Sequence, residues 1–475
     1  MFLVFDVGTS ALRGGLVAEN GATVARVSVP IRAREPSPDR HEIAPQTLWR
    51  ALRWTAAQLL DSAPRGERIA GICTGGATRA QVFLDASGKS LGPALLFRDR
   101  RAIEEAREIA AYFPKRDPAD AITAFHPLAR IVWFQRRAPK APRLRFVCEP
   151  KDYLNFRLTG RLAADGVTYS RYDGLSVPVA VPDWLFACID RLRVERVDPW
   201  AVLGSCVNGD SPFDRLKNVP VFAGAMDAWM AAIGASAATP GQGYDIAGTS
   251  EVVGQITATR AHAPGLVSLR WTEDAFHLGG PTQAGADSAA WAYRSLRVRG
   301  RFAEAVERAA SLTPRLDLPL FLPYLAGERT PVWHANLRAA FHGVGRDHGG
   351  DELLWCALEG VAQAVRDILD HAARGSGERV TEVRIAGGGA RSNAWCQLKA
   401  DVLGVPVMRA AEAETGLTGA AITAAVGAGL HPDIATAARA MSQVERIFTP
   451  RAQLAALFAE RAARYASAKA MALTA

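Results

Sequence analysis

Two short stretches decide the fold: FDVGTS, Phe5 to Ser10, and DIAGTS, Asp245 to Ser250, which repeat one Gly-Thr-Ser triplet half a chain apart. Each follows a short β-type run, Leu3 to Phe5 or Tyr244 to Ile246, and precedes a second apolar run. That is the pattern of a strand, a tight turn and a returning strand. The near-repeat predicts two structurally related halves, each presenting a similar turn.

Outward from the second copy, EVRIAGGGARSNAWCQLKADVLGVPV reads as strand, glycine turn, helix and strand. Thr381 to Ala386 form the expected strand, Gly387 to Gly389 the turn, and Ser392 the helix N-cap. Trp395, Leu398 and Val402 then recur at helical spacing, and Leu358, Val361, Val365 and Leu369 place an apolar stripe on a preceding helix. Strands alternating with helices predict an α/β fold in both halves. The Pro/Gly-containing segment from Ala235 to Gly243 is the expected boundary, giving domains 1–236 and 237–475.

A chain of 475 residues exceeds the size at which one core stops growing, which agrees with two domains. The 56 Lys and Arg residues outnumber the 48 acids and leave a net charge of +8, but they are spread along the chain. Nucleic-acid binding needs a clustered basic face, so no nucleic acid is expected. No run approaches the ~20 apolar residues of a membrane-spanning helix, and no membrane partner is expected. The N-terminal MFLVFDVGTS is interrupted by Asp6 and has no basic lead, unlike a signal peptide. The six cysteines form no C-x-x-C pair, which predicts reduced, buried thiols in a cytoplasmic protein.

Gly8, Thr9 and Ser10 can offer backbone N–H groups and two hydroxyls to phosphate oxygens, and Gly248, Thr249 and Ser250 can do the same from the other half. Either triplet also fits an ordinary hairpin turn. Asp6, beside the first turn, suits a hydrated Mg²⁺ or a bond to its own backbone. Asp227 lies in VPVFAGAMDAWMAAIGA, otherwise apolar and small, where an unpartnered charge is costly. It fits a base that accepts a hydroxyl proton, or a cap on the following helix. No G-x-x-x-x-G-K-[ST] loop is present, Gly387 to Gly389 do not complete G-x-G-x-x-G, and HEIAP at His41 lacks a second histidine. Protein-kinase motifs are also missing.

With these residues in view, the sequence resembles the FGGY carbohydrate kinases, most nearly the xylulokinase branch, from Phe5 to about Leu430. PKDYLNFRLTG (Pro150 to Gly160) and FLPYLAGERTP (Phe321 to Pro331) are the long strings that carry the likeness. DVGTS resembles the family's first phosphate motif, AGTSEVV the second, GGGARSNAW the adenosine motif and AGAMDAWMAAIGA the catalytic block. The resemblance implies two actin-like ATPase domains with ribonuclease-H-like cores and an interdomain cleft. It implies ATP and Mg²⁺ as cofactors, with Asp227 as general base and Asp6 and Asp227 toward the metal. Gly8, Thr9, Ser10, Gly248, Thr249, Ser250, Gly388, Gly389, Ala390 and Asn393 are implied nucleotide and phosphate contacts.

The implied substrate is a small ketose or polyol, with Arg79, Asp99, Arg101 and Asp227 as contacts, and a homodimer is the expected assembly. Several positions depart from the pattern. Arg79, in CTGGATRAQVF, stands where xylulokinases place a histidine, Ala228 where relatives carry an amide or acid, and Glu251 where relatives have a small residue. Glu251 is expected to repel phosphate unless its side chain turns away. Arg79 keeps open a kinase for another polyhydroxy compound: ribulose, a polyol of the glycerol or erythritol type, or a sugar acid, whose carboxylate a guanidinium binds bidentately. An actin-like ATPase without a sugar substrate is the remaining alternative.

Overall fold

The computed structural model describes residues 1–113, 117–173, 181–191, 194–207 and 209–474. They form two compact units: Met1–Arg116, Asp120–Gly234 and Gly416–Met441 make unit 1, and Asp117–Ala119, Ala235–Thr415 and Ser442–Ala475 make unit 2.

Unit 1 is built on strands β1 (Phe2–Val7), β2 (Ala11–Val17), β3 (Thr23–Pro30), β4 (Gly71–Gly76), β5 (Val202–Ser205) and β6 (Pro220–Phe222), in the order β5-β6-β4-β1-β2-β3. Phe2 to Phe5 are fully buried on both faces, as a central strand requires. β1 runs antiparallel to β2 through the Gly8–Ser10 turn and parallel to β4, whose register pairs Val7 with Gly76. The helix Pro45–Asp61 crosses between β3 and β4, and its stripe of Leu48, Leu52, Ala56 and Leu59 packs on Leu3, Phe5 and Leu16.

Unit 2 repeats the plan with strands β7 (Gln242–Ala247), β8 (Glu251–Thr257), β9 (Val267–Arg270), β10 (Phe276–Pro281), β11 (Glu382–Ala386), β12 (Val407–Ala410) and β13 (Val444–Phe448). Their order is β9-β10-β8-β7-β11-β12-β13. β7 is antiparallel to β8 through the second Gly-Thr-Ser turn and parallel to β11, the same local topology as β1, β2 and β4. The 27-residue helix Gly350–Ser376 lays Val365 and Leu369 on Val253, Leu278, Val383 and Ile385. The sequence repeat is thus a repeat of topology.

One expectation needs correction. A single cut after residue 236 assigns Gly416–Met441 to the second half, whereas that segment packs within unit 1. The physical reason is the helix Thr415–Gly427, whose small residues allow close approach. A Cβ at Gly419 would lie 1.9 Å from the Met230 carbonyl oxygen. Gly419→Ala is therefore expected to cost on the order of 1–3 kcal/mol, read as a lower urea midpoint for unfolding.

Candidate functional site

Asp6 sits at the penultimate position of β1, where the strand turns. Gly8 donates its N–H to the Ala11 carbonyl at 3.0 Å and closes the turn. Thr9 is half-buried and Ser10 exposed, and no described residue bonds either hydroxyl. The β1–β2 register sets Arg13 opposite Asp6, and its Nη1 lies 3.6 Å from Asp6 Oδ2. Arg13 escaped the sequence reading because only strand pairing brings it to the turn.

Asp227 opens the helix Asp227–Gly234, and its Oδ1 accepts from the Ala228 N–H at 2.8 Å. Burial, then the nearby Asp6 charge, push its carboxyl up to about 7, against the pull of the Ala228 bond. The two carboxylates singled out in the sequence therefore feel each other. Gly416, in the first turn of the helix Thr415–Gly427, borders the same place, since a Cβ there would lie 3.7 Å from Asp6 Oδ2.

The loop ahead of Asp227 is held from several sides. Gly76 N–H donates to the Ala225 carbonyl at 3.2 Å, and Met226 N–H donates to Thr168 Oγ1 at 2.9 Å. The Ala223 carbonyl accepts from Asn155 Nδ2 at 2.8 Å and from Lys151 Nζ at 3.5 Å. Lys151 is sealed from water between Asp152, at 2.5 Å, and Asp165, at 2.8 Å. Burial disfavours its charge, but the two carboxylates outweigh that and hold the ammonium above its ordinary value. The Tyr169 hydroxyl donates to Asp152 Oδ2 at 3.0 Å. Lys151, Asp152 and Asn155 all belong to the string PKDYLNFRLTG, which forms the helix Pro150–Thr159.

Arg79 and Asp99 are joined by a residue absent from the sequence reading. Buried Arg130 donates to the carbonyls of Arg79, at 2.8 Å, and Asp99, at 2.9 Å. Asp99 is fully buried, bonded to Arg101 Nη2 at 2.7 Å and to the His41 N–H at 2.8 Å. Arg101 also bonds Glu42 and lies over the Trp133 ring at 4.9 Å. Asp99 and Arg101 thus use their polar groups largely on protein. Arg79 differs: its backbone is left-handed, with φ of 59°, and its N–H donates to Glu149 Oε1 at 3.2 Å. Its half-buried guanidinium bonds no described residue.

In unit 2 the Gly248 and Thr249 carbonyls accept from the Ala286 and Asp287 N–H groups, each at 3.1 Å, which ties the turn to the helix Ala286–Ser295. Gly387 and Gly389 pack on the end of β7: a Cβ at Gly387, where φ is +96°, would lie 2.6 Å from the Ala247 carbonyl oxygen. Gly388 faces open space, and exposed Asn393 begins the helix Asn393–Leu403. Ala390 is buried, and its carbonyl accepts from Arg409 at 3.1 Å. Ser392 caps this helix by accepting from the Trp395 N–H at 3.0 Å, as its sequence position implies. Arg329, within FLPYLAGERTP, donates to Ser250 Oγ at 3.3 Å, while its neighbour Glu328 accepts from Thr282 Oγ1 at 2.7 Å. That string thereby braces the second turn.

The repulsion expected from Glu251 is absent. Its side chain is fully buried, 2.7 Å from Lys399 Nζ, which also bonds Asp245 at 2.5 Å. Burial, then the adjacent Asp245 charge, push the Glu251 carboxyl up, against Lys399. Among the described residues no group of three or more His, Cys, Asp or Glu side chains is arranged to hold a metal ion, and no helix is long and apolar enough to cross a membrane.

Residues 1–176 match the FGGY family of carbohydrate kinases, N-terminal domain, and residues 243–428 match the C-terminal domain of the same family. The chain is 28% identical to xylulose kinase of Staphylococcus epidermidis, covering 94% of this chain and 92% of that one. It is also 28% identical to L-xylulose/3-keto-L-gulonate kinase of Escherichia coli, covering 98% and 95%. Its fold is similar to the solved structure of ligand-bound xylulose kinase from Lactobacillus acidophilus, with a TM-score of 0.88 at 21% identity over 99% of this chain and 98% of that one.

The Asp245–Lys399–Glu251 cluster yields a stability prediction. Lys399→Met leaves buried carboxylates without their cation and is expected to cost about 3–5 kcal/mol in chemical unfolding. Adding Asp245→Asn and Glu251→Gln removes the uncompensated charge and is expected to recover most of that loss.

Proposed function

Because the chain belongs to the FGGY family of carbohydrate kinases and is an ATP-dependent sugar kinase, we propose that Asp227 takes the proton from the acceptor hydroxyl as that oxygen attacks the γ-phosphorus of ATP. The new bond joins the acceptor oxygen to phosphorus, the bond from phosphorus to the β–γ bridging oxygen breaks, and ADP departs. The observation that carries this reading is the Asp227 carboxyl, pushed to about 7 at a helix start beside Asp6. A base balanced near neutrality accepts a proton efficiently without being permanently protonated.

The remaining demands of phosphoryl transfer are alignment and stabilisation of charge on the phosphate oxygens. In unit 1, the free hydroxyls of Thr9 and Ser10, on the turn that Gly8 closes, and Arg13 take phosphate. In unit 2, Gly248, Thr249, Ser250 and Arg329 take phosphate, and Gly388, Gly389, Ala390 and Asn393 take the adenosine end. The electrostatically linked carboxylates of Asp6 and Asp227 suit Mg²⁺, which favours one or two carboxylates with waters and phosphates. When bound there, its chemistry is neutralisation of phosphate charge. Asp99 and Arg101 shape the sugar side through Arg130. The six free, buried cysteines support a reduced, cytoplasmic setting.

For the acceptor, the likeness to proteins named xylulose kinase supports a ketose or polyol. A second reading, a sugar acid, is favoured by Arg79, whose guanidinium bonds no described residue and which carries the charge to pair with carboxylate. A coupled-ADP assay across neutral ketoses, polyols and aldonates separates them. Strict preference for neutral xylulose counts against the sugar acid, and ATP turnover that no polyhydroxy compound stimulates counts against both. Light scattering tests the expected homodimer.

Asp227→Asn is expected to lower kcat by about 10²–10⁴-fold while leaving sugar and ATP binding near wild type. Near-normal turnover removes Asp227 from the role. In the wild type, kcat/KM is expected to rise with pH through about 7, because the base acts when ionised.

Stability should move the other way. A carboxyl whose native pKa exceeds its unfolded value holds its proton more tightly when folded, so its ionisation weakens the native state as pH rises from about 4 towards 7. Asp227→Asn is therefore expected to stabilise the protein at pH ~8 by on the order of 1–2 kcal/mol after allowance for solvent screening. That gain should shrink towards pH ~4, near the carboxyl's unfolded pKa. Urea unfolding at several pH values measures it.

A further inference from the structure

The loop from Ala223 to Asp227 connects β6 to the helix that Asp227 begins. Much of it is fixed by main chain. Ala223 N–H donates to the Ala201 carbonyl at 3.1 Å, Gly224 N–H to the Pro199 carbonyl at 2.8 Å, and the Ala225 carbonyl accepts from Gly76 N–H at 3.2 Å. Gly224 has φ of +65°, and a Cβ there would lie 2.0 Å from the Thr74 carbonyl oxygen, so the chain lies directly against β4.

Side chains hold it at two points. Asn155 and Lys151 take the Ala223 carbonyl, and Thr168 Oγ1 accepts from the Met226 N–H at 2.9 Å. The second lies one residue ahead of Asp227 and anchors the Ala225–Met226 peptide, the last but one before that residue. Thr168 is itself held from behind. It is 4% exposed, and its own N–H donates to Asp165 Oδ1 at 2.7 Å. Asp165 Oδ2 lies 2.8 Å from Lys151 Nζ. The chain of contacts runs from the buried ammonium through Asp165 and Thr168 to the Met226 amide. Nothing in the hydroxyl–phosphate chemistry itself requires Thr168.

Resting on the reading of Asp227 as the base, we propose that Thr168 is a positioning residue for phosphoryl transfer, its hydroxyl holding the Met226 amide so that the Asp227 carboxylate meets the acceptor hydroxyl in line. A base displaced by a fraction of an ångström loses rate without losing ligand affinity, since alignment is where much of the catalytic advantage arises.

Thr168→Val keeps the side-chain shape and deletes the hydroxyl. It is expected to lower kcat about tenfold per folded molecule, with KM for ATP and for the sugar within about twofold of wild type. Thr168→Ser restores the hydroxyl and is expected to restore kcat. In the Asp227→Asn background, Thr168→Val is expected to add nothing further, because a residue acting through another shows no separate effect once that other is gone.

Wild-type kcat in Thr168→Val overturns the proposal, as does a loss confined to KM or a failure of Thr168→Ser to rescue. If Thr168→Val gives no folded protein, Thr168→Ala and Thr168→Cys carry the same comparison, and wild-type kcat in either overturns it. The two readings fail separately. Full activity of Asp227→Asn removes the base and with it anything for Thr168 to position, whereas an inactive Asp227→Asn beside a fully active Thr168→Val leaves the base standing and sinks this proposal alone.

Discussion

The loop of unit 1 that leads into Asp227 depends on one buried cation. Lys151, withdrawn from water, is tolerable only because Asp152 and Asp165 lie within ion-pair distance, and those acids are tolerable only because the ammonium is there. The cluster reaches the Ala223 carbonyl directly and the Met226 amide by way of Asp165 and Thr168. A group of charges that replacement by apolar residues would often leave no less stable is well suited to specifying a single backbone path, and here that path ends at Asp227.

The same logic recurs in unit 2 with different residues. Lys399 lies between Asp245 and Glu251 at the edges of the second turn, and Arg329 and Glu328 brace that turn from outside. The second Gly-Thr-Ser turn is therefore short and glycine-led and is flanked by a desolvated cluster of one ammonium and two carboxylates.

Asp227 and Arg79 show the cost of such a site. The Asp227 carboxyl, raised by burial and by Asp6, is harder to ionise than a solvated one, which weakens the folded state at neutral pH and suits a proton acceptor. Arg79 adopts a left-handed backbone that a β-carbon disfavours, held by Glu149 on its N–H and Arg130 on its carbonyl. Arg79 is thereby fixed by neighbours distant in sequence.

Local pattern in the sequence determined the α/β class, the pair of Gly-Thr-Ser hairpins, the Ser392 cap and the candidacy of Asp6 and Asp227, because strand, turn and cap preferences act over a few residues. The long strings PKDYLNFRLTG and FLPYLAGERTP were legible as family signatures but not as braces, since their partners at Ala223 and Ser250 lie about 70 to 80 residues away in the chain. Only the tertiary structure decided that Glu251 is neutralised by Lys399, that Asp99 and Arg101 bind one another, that Arg13 and Arg329 reach the turns, and that Gly416–Met441 belongs to unit 1. The physical reason is the same in each case: a buried charge or a close helix approach is defined by what surrounds it in space, and no spacing along the chain records that.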